Sequence, residues 1–254
     1  MNRTRAIGLA LACALVGISA GDANLNSANA ILERSMAAYQ KLQTYSDSGT
    51  VTLVYDNNTT YGVWRTHFQR KPNSFFFKFR ELKVVHTSYG TTPLNRELIW
   101  WLSNGKLETW NPQHKEHQVY IAGQHNQITP LRAELQTHGA ITLIPTMFYS
   151  KAGLFGVLQE IVKLAEAGTE VVNGRNCHKL TGFAQSSYPS GKTFNTRPVT
   201  IWIDTETMMI RKVFQDTPKG RGVGSVVRYT YTVFPEANPP LTPKHFQYKV
   251  PVVQ

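Results

Sequence analysis

Histidines are the first residues in this chain whose type and spacing could do chemistry. His114, His117 and His125 fall within one polar segment and could together bind a metal ion. Glu116 is the acidic residue nearest to them, and no H-E-x-x-H sequence places two imidazoles on one face of a helix. Histidines of a solvated loop explain this pattern better than metal ligands do. The sequence therefore predicts no metal site.

Two other motifs resemble catalytic or nucleotide-binding sequences. Cys177 and His178 are adjacent, and adjacent residues of a strand point to opposite faces, so they cannot form a nucleophile–base pair. The sequence GKT at 191–193 resembles the end of a P-loop, but Ser186 stands where the motif requires glycine and residues 194–203 have an extended pattern. Acidic residues are sparse, and no G-x-S-x-G is present. We therefore expect no catalytic residue, no cofactor and no enzyme activity.

A surface of aromatic and aliphatic side chains is the strongest candidate for a binding site. In residues 75–80, strand alternation places Phe75, Phe77 and Phe79 on one side and Lys78 and Arg80 on the other. Such a stripe is typical of an ordinary core. It is also compatible with an apolar cavity in which residues 128–167 form a movable cover. The candidate cavity residues are Trp64, Phe68, Phe75, Phe77, Phe79, Trp100, Leu131, Leu154 and Ile201.

The chain is strongly basic, with 27 Lys and Arg against 16 Asp and Glu and a net charge of +11. This surplus favours an anionic partner such as a membrane surface, and it is also a general property of many exported proteins. Nucleic acid is disfavoured, because a base-stacking platform needs basic and aromatic residues on one face, whereas alternation separates them here.

The N-terminal segment has the composition of a targeting signal. Arg3 and Arg5 precede an apolar run over residues 6–20, which is shorter than the roughly 18–20 residues that span a bilayer. This pattern predicts a signal peptide over residues 1–28, with cleavage between Ala20 and Ala30 and export to the periplasm or cell envelope.

Cys13 lies in a sequence close to a lipoprotein signal. Ala10 occupies the position where leucine is usual, and the apolar residues after Cys13 are an unusual start for a lipid-anchored protein. Lipid anchoring is therefore disfavoured. Once the signal peptide is removed, Cys177 is alone and no internal disulfide can form.

Two helical regions are predicted in an otherwise extended chain. The apolar spacing predicts an opening helix over residues 29–44, ended by a turn at 46–49. A helical insertion is predicted over 128–167, and its second helix over 151–167.

The remaining segments read as antiparallel strands joined by tight turns. Asn-Gly at 104–105 and at 173–174, and the D-x-E-T sequence at 204–207, predict hairpins. An edge strand is predicted near 119–121 and a last strand at 245–250. Hairpin-linked strands with segregated helices indicate the α+β class, and no domain boundary is evident within residues 29–254.

Several segments, in the order in which they occur, resemble those of a known superfamily. They are ILERSMAAYQKLQTYSDSGTV, FQRKPNSFFFKFR, NCHKLTGF, VTIWIDTETMMIRKV and FPEANPPLTPKHFQYKVP, which span most of residues 31–251. Their serial order resembles the LolA/LolB-like periplasmic lipoprotein carriers, especially the outer-membrane lipoprotein-sorting relatives.

That resemblance implies a fold and a type of ligand. The expected fold is a strongly curved antiparallel sheet, an incomplete β-barrel, with helices covering its concave face. The expected partner is a lipid acyl chain or a lipoprotein, bound by a monomer. No functional residue of the carriers maps onto a position here. The alternative is an envelope binding, sensor or scaffold protein of the same fold with a filled core.

Overall fold

The structure is a computed structural model that describes residues 20–55, 58–87, 90–103, 105–121, 160–187, 193–216 and 228–251. In these ranges the chain forms one α-helix, eleven strands and a 3₁₀ turn. The elements are α1 (Ala20–Lys41), β1 (Thr44–Tyr55), β2 (Asn58–Gln69), β3 (Ser74–Thr87), β4 (Gly90–Ser103), β5 (Lys106–Asn111), β6 (Glu116–Ile121), β7 (Glu160–Val172), β8 (Arg175–Ser187), β9 (Thr193–Asp204), β10 (Ile210–Asp216), β11 (Arg228–Ala237) and the 3₁₀ turn (Pro243–Phe246).

All eleven strands belong to one open antiparallel sheet, in the order β6-β5-β4-β3-β2-β1-β11-β10-β9-β8-β7. Consecutive strands pair with each other from β1 through β6, and they do so again from β7 through β11. The pairing of β1 with β11 joins these two meanders. Consecutive strands β6 and β7 are therefore the opposite edges of the sheet. The antiparallel α+β class is the one that the sequence predicts.

The sheet has an apolar face, which carries Tyr45, Phe77, Trp100 and Ile201, and a polar face on its other side. Strand alternation produces this division, because successive side chains point to opposite sides. The main core lies between the apolar face and α1, whose Ile31, Tyr39 and Leu42 are buried. Covering of a concave face by several helices is not seen, since α1 is the one α-helix in the described ranges.

Helix α1 differs from its predicted bounds at both ends. It begins at Ala20 and ends at Lys41, and the predicted turn at 46–49 lies inside β1. Asp47 and Gly49 each pair with a residue of β2 and a residue of β11. Sequence reasoning took the short polar side chains as a turn, but the neighbouring strands supply the contacts that hold them extended.

The helix predicted over 151–167 is wrong from Glu160 onward, because that part belongs to β7. The pairing of β7 with β8 shifts between Val162 and Ala165 and again between Glu166 and Thr169. The extra residue of a bulge changes which face the later residues occupy. Ile161 and Leu164 consequently both join the main core, three residues apart, a spacing that imitates a helix.

The strand predicted at 245–250 is also wrong. The chain forms the 3₁₀ turn and then continues to Pro251 without regular structure. Phe246 is buried, and Tyr248 and Val250 pack on a polar-face cluster formed by Ile99, Trp101 and Trp110. This segment therefore covers part of the sheet instead of extending it.

The predicted hairpins are confirmed within the described residues. Asn173 and Gly174 have φ values of 50° and 74°, as the two-residue turn between β7 and β8 requires. Gly105, with φ of 74°, lies between β4 and β5. The edge strand near 119–121 is β6, which begins earlier, at Glu116.

Candidate functional site

The candidate cavity residues in the described ranges all lie on the apolar face. Trp64, Phe68, Phe75, Phe77, Phe79, Trp100 and Ile201 are each at most 3% exposed. Leu131 and Leu154 lie outside the described residues. The structure therefore brings seven predicted residues into one core, where they pack against each other and α1.

Strands β3 and β4 provide the most aromatic part of this face. Phe77 lies opposite Trp100 in the register, and their rings stack with centroids 5.1 Å apart. Phe75 lies opposite Leu102, and Phe79 lies opposite Leu98. The result is three rows of large apolar side chains that continue across the two strands.

Helix α1 lies on the other half of the apolar face. Ser27 donates a hydrogen bond of 2.7 Å to Glu166 on β7, and Tyr39 accepts one of 3.1 Å from the backbone of Ile210 on β10. The ring of Tyr39 also contacts Tyr45 on β1, at 5.6 Å between centroids. In the strand order, these contacts of α1 fall on β1, on β10 and on the edge strand β7. The aromatic rows of β3 and β4 lie on the other side of β1, beyond β2.

Asp47 is a buried acid among these apolar residues, and sequence reasoning missed it. The Tyr45 hydroxyl donates a hydrogen bond of 2.8 Å to its Oδ2 atom. Burial raises the pKa of Asp47 to about 6, although hydrogen bonds to its carboxylate act in the opposite direction. Burial also raises the pKa of Tyr39 and of Tyr45, and nearby Asp47 adds to both shifts. The sequence signal was available in the alternation of Tyr45, Asp47, Gly49 and Val51 along one face.

The polar face contains an open groove of about 860 Å³ across β11, β1, β2, β3 and β4. We call it the basic groove and define it by Val63, Arg65, Lys78, Arg80, Glu97 and Phe234, with Pro112 of the β5–β6 turn at its margin. A smaller cavity of about 410 Å³ adjoins it and shares Ser48, Arg65 and Phe234. Phe75, Phe77 and Phe79 lie on the face opposite Lys78 and Arg80, as the sequence predicts, but Phe234 lies on the basic face, and this groove was not predicted.

The smaller cavity contains two histidines. The rings of His67 and His245 meet edge to face, with centroids 5.3 Å apart, and the Nδ1 atom of His67 lies 3.1 Å from the Ser46 hydroxyl. Burial lowers the pKa of His67 to about 4, and the charges of His245 and Arg65 add to the effect. His67 is therefore neutral near pH 7.

The histidine and cysteine motifs that the sequence offered for chemistry have ordinary neighbours in the structure. His117 lies 2.9 Å from Glu108 and stacks on Trp101, while His125 is outside the described residues. No group of three His, Cys, Asp or Glu side chains that could hold a metal ion occurs in the described part of the chain. Cys177 is buried on the polar face with Trp202, whereas His178 lies beside Glu166, at 3.2 Å.

The D-x-E-T turn at 204–207 is held by the buried carboxylate of Asp204. Its oxygens accept hydrogen bonds from the backbone of Glu206 and Thr207, at 3.0 and 2.9 Å, and from Arg175 and Arg211, at 2.9 and 3.1 Å. Burial alone would raise the pKa of Asp204, but these bonds outweigh it and hold that pKa well below its usual range. The arrangement closes a hairpin and leaves the carboxylate no free side for a ligand.

No helix within the described ranges combines the length and the apolar composition that crossing a bilayer requires.

Comparison with known proteins finds no matching family model and no curated protein of similar sequence. Several solved structures are distantly similar. LprF from Mycobacterium bovis has a TM-score of 0.47 and 15% identity, over 85% of this chain and 95% of that one. The Mycobacterium tuberculosis lipoprotein LppX has a TM-score of 0.42 and 14% identity, over 85% and 98%. A DUF1329 family protein from Desulfovibrio piger has a TM-score of 0.37 and 11% identity, over 89% and 98%. Likeness at this level assigns no family, and the LolA/LolB-like resemblance stays a prediction.

Proposed function

We propose that this protein is exported to the cell envelope and binds the acyl chain of a lipid or of a lipidated protein on its apolar face. The observation that carries the proposal is the set of aromatic rows on β3 and β4, which lie beyond β1 in the strand order, on the side away from the other strands that α1 contacts. Our candidate contacts are Phe75, Phe77, Phe79 and Trp100 there, with Trp64, Phe68 and Ile201 on β2 and β9 and Leu131 and Leu154 outside the described residues.

An acyl chain that binds on the apolar face must displace contacts between aromatic side chains. Burying one CH₂ group gains about 0.8 kcal/mol, so a 16-carbon chain gains on the order of 10 kcal/mol. An aromatic pair such as Phe77 and Trp100 contributes about 1 kcal/mol beyond its buried area. Separating the Phe77–Trp100 pair therefore costs less free energy than the burial of the acyl chain gains.

The alternative is an envelope scaffold or sensor with a filled core. The specific observation in its favour is the near-complete burial of the seven described candidate residues, none above 3% exposed. In that case the aromatic rows stabilise the sheet and bind no ligand. Both hypotheses describe a binding or structural protein and assign catalysis to no residue.

The distribution of the five tryptophans supplies a test. Trp64 and Trp100 belong to the core on the apolar face, whereas Trp101, Trp110 and Trp202 belong to clusters on the polar face. Bromine on an acyl chain quenches indole fluorescence only at close contact. We expect methyl dibromostearate, which has an acyl chain but no charge, to quench the wild-type protein in a saturable way.

Two variants with complementary sets of tryptophan locate the bound chain. In W101F/W110F/W202F the two apolar-face indoles remain, and quenching should persist. In W64F/W100F the three polar-face indoles remain, and quenching should be lost, provided that circular dichroism shows the fold intact. The single variants W64F and W100F serve if the double variant does not fold.

The filled-core alternative predicts a different result. Quenching that is absent from the wild type, or equal in the two variants, would reject acyl binding on the apolar face. Mass spectrometry of lipid extracts from natively purified protein is an independent check, since a bound cargo should accompany the protein at a stoichiometric level.

A further inference from the structure

The basic groove has a regular arrangement that the sheet register creates. Phe234, Ser48, Arg65 and Lys78 lie side by side across β11, β1, β2 and β3. In the adjacent row on the same face, Val63 lies opposite Arg80, and Arg80 lies opposite Glu97. Residues opposite each other on neighbouring antiparallel strands have Cβ atoms about 4.5–5.5 Å apart. The three cationic side chains are therefore close neighbours.

Charge in the groove is unbalanced. Lys78 forms an ion pair with Glu97, the one carboxylate that lines this cavity. Within the described residues, neither Arg65 nor Arg80 forms an ion pair with a carboxylate. Like charges directly opposite each other on a sheet destabilise it, and Arg65 lies directly opposite Lys78. An anion between these strands would remove that repulsion and receive charge-assisted hydrogen bonds.

Exposed apolar side chains lie beside the cations. Val63 is 43% exposed and Phe234 is 45% exposed, and both line the same cavity as Arg65. Phe234 and Arg65 are both register partners of Ser48, so an aromatic ring and a guanidinium face the groove two strands apart. A ligand that touches both needs a charged group and an apolar body.

We propose that the basic groove binds an organic anion in which a phosphate or carboxylate group is attached to an apolar body. Arg65 and Arg80 bind the anionic group, Lys78 adds charge, and Val63 and Phe234 contact the apolar body. The volume of about 860 Å³ suits a small ligand, for which binding sites commonly measure about 300–1,000 Å³. The site lies on the opposite face of the sheet from the acyl site proposed above, so either proposal can fail without the other.

A phospholipid headgroup and a soluble phosphate ester share this chemistry. Titration calorimetry with dihexanoyl phosphatidic acid represents the first source, and 2-naphthyl phosphate represents the second. We expect saturable binding of at least one probe, and the tighter one identifies the source. Inorganic phosphate has only the anionic group of 2-naphthyl phosphate, and 2-naphthol has only its apolar body. Each should therefore bind at least about tenfold more weakly than 2-naphthyl phosphate does.

Variants show whether the named residues hold the probe. Arg65→Gln together with Arg80→Gln should weaken the tighter probe at least about tenfold, since each arginine makes charge-assisted contacts. The matched control is Lys41→Gln with Lys163→Gln, which removes the same charge from exposed positions outside the groove. The control should bind as the wild type does. Phe234→Ser should reduce the affinity for the ester but not for inorganic phosphate.

Three results would overturn the proposal. They are no binding of either probe to the wild type, equal affinity for inorganic phosphate and the esters, and equal loss of affinity in the arginine and lysine double variants. A competition experiment separates this site from the acyl site, because methyl dibromostearate, which has no anionic group, should not displace 2-naphthyl phosphate when it is bound on the apolar face.

Discussion

The indole ring of Trp64 on β2 lies over Gly49, its register partner on β1. A Cβ atom at Gly49 would overlap the indole carbons, so the ring occupies the space that a side chain would fill. A similar close approach recurs one strand further, where Phe79 lies diagonally across from Gly62 and a Cβ atom at Gly62 would lie 2.6 Å from one of its ring carbons. Aromatic rings from β3 and β2 thus cover successive glycines on β2 and β1, which lets the apolar face pack closely.

Gly49→Ala should therefore destabilise the protein. The new methyl group must displace the indole of Trp64 in a packed core, and such overpacking costs about 1–3 kcal/mol. Urea denaturation should show a lower midpoint with an unchanged slope. Ser48→Ala is the control, because Ser48 is exposed on the polar face and its loss should change stability by less than about 0.5 kcal/mol. Equal stability of Gly49→Ala and the wild type would contradict the packing described here.

The turn at Asp204 provides a second prediction. Asp204→Ala removes a carboxylate that is 1% exposed and leaves Arg175 and Arg211 without their shared partner. Removing one member of a buried charge network typically costs about 3–5 kcal/mol, and the outer position of Arg175 places the expected loss near 3 kcal/mol. Chemical denaturation monitored by circular dichroism measures it.

Glu206 offers the matched control for that variant. It belongs to the same turn and pairs with Arg175 at 2.7 Å, but its side chain is 76% exposed. Exposed ion pairs contribute about 0–1 kcal/mol, so Glu206→Ala should be nearly neutral. Similar losses in Asp204→Ala and Glu206→Ala would mean that burial does not determine the strength of this network.

The sequence predicts those parts of the fold that depend on neighbouring residues, and it fails where pairing with a distant strand decides the structure. The turn at Asn173-Gly174 requires positive φ at both residues, and the sequence states that requirement directly. Strand β7 shows the limit. Its bulges place Ile161 and Leu164 on one face, and only the pairing with β8 distinguishes that spacing from a helical one.

The candidate site likewise has features that the local sequence predicts and features that depend on contacts between distant strands. Alternation along single strands correctly placed Trp64 and Phe77 on the face opposite Arg65 and Lys78. The basic groove was not predictable, because it depends on the register that aligns Phe234 with residues of β1 and β2, far away in sequence. Asp47 was missed because a serine-rich segment has the composition of a turn, and only its two neighbouring strands hold it extended.

Asp47→Asn tests the buried acid through the pH dependence of stability. The folded pKa of about 6 exceeds the ordinary aspartate value of 3.8, so the folded state binds this proton more tightly than the unfolded state. The resulting stabilisation is complete below the unfolded pKa and is lost as pH rises through about 6, a change of about 3 kcal/mol. Asparagine keeps an oxygen for the Tyr45 hydroxyl and does not titrate. Relative to the wild type, the variant should gain stability between pH 4 and 7, and parallel stability curves would contradict the assignment.

His67 should act in the opposite direction, from the other face of the same two strands. Its folded pKa of about 4 lies below the ordinary histidine value of 6.5, so the stabilisation from the neutral ring is complete above pH 6.5 and is lost as pH falls towards 4. His245 and Arg65 face the ring and oppose its protonation, while Ser46 lies at hydrogen-bond distance. His67→Gln keeps a polar partner for Ser46 and should lower the midpoint of acid unfolding by on the order of half a pH unit.

The two titrations partly cancel in the wild type between about pH 4 and 6, because His67 lowers stability on acidification while Asp47 raises it. The single variants should therefore tilt the stability curve in opposite directions, and the double variant should restore a shallow slope. Urea denaturation at half-unit intervals of pH measures all four proteins. Since Asp47 and His67 point to opposite faces of the β1–β2 pair and share no hydrogen bond, their effects should add. Slopes of the same sign in both single variants would show that burial does not set these two pKa values in the directions argued here.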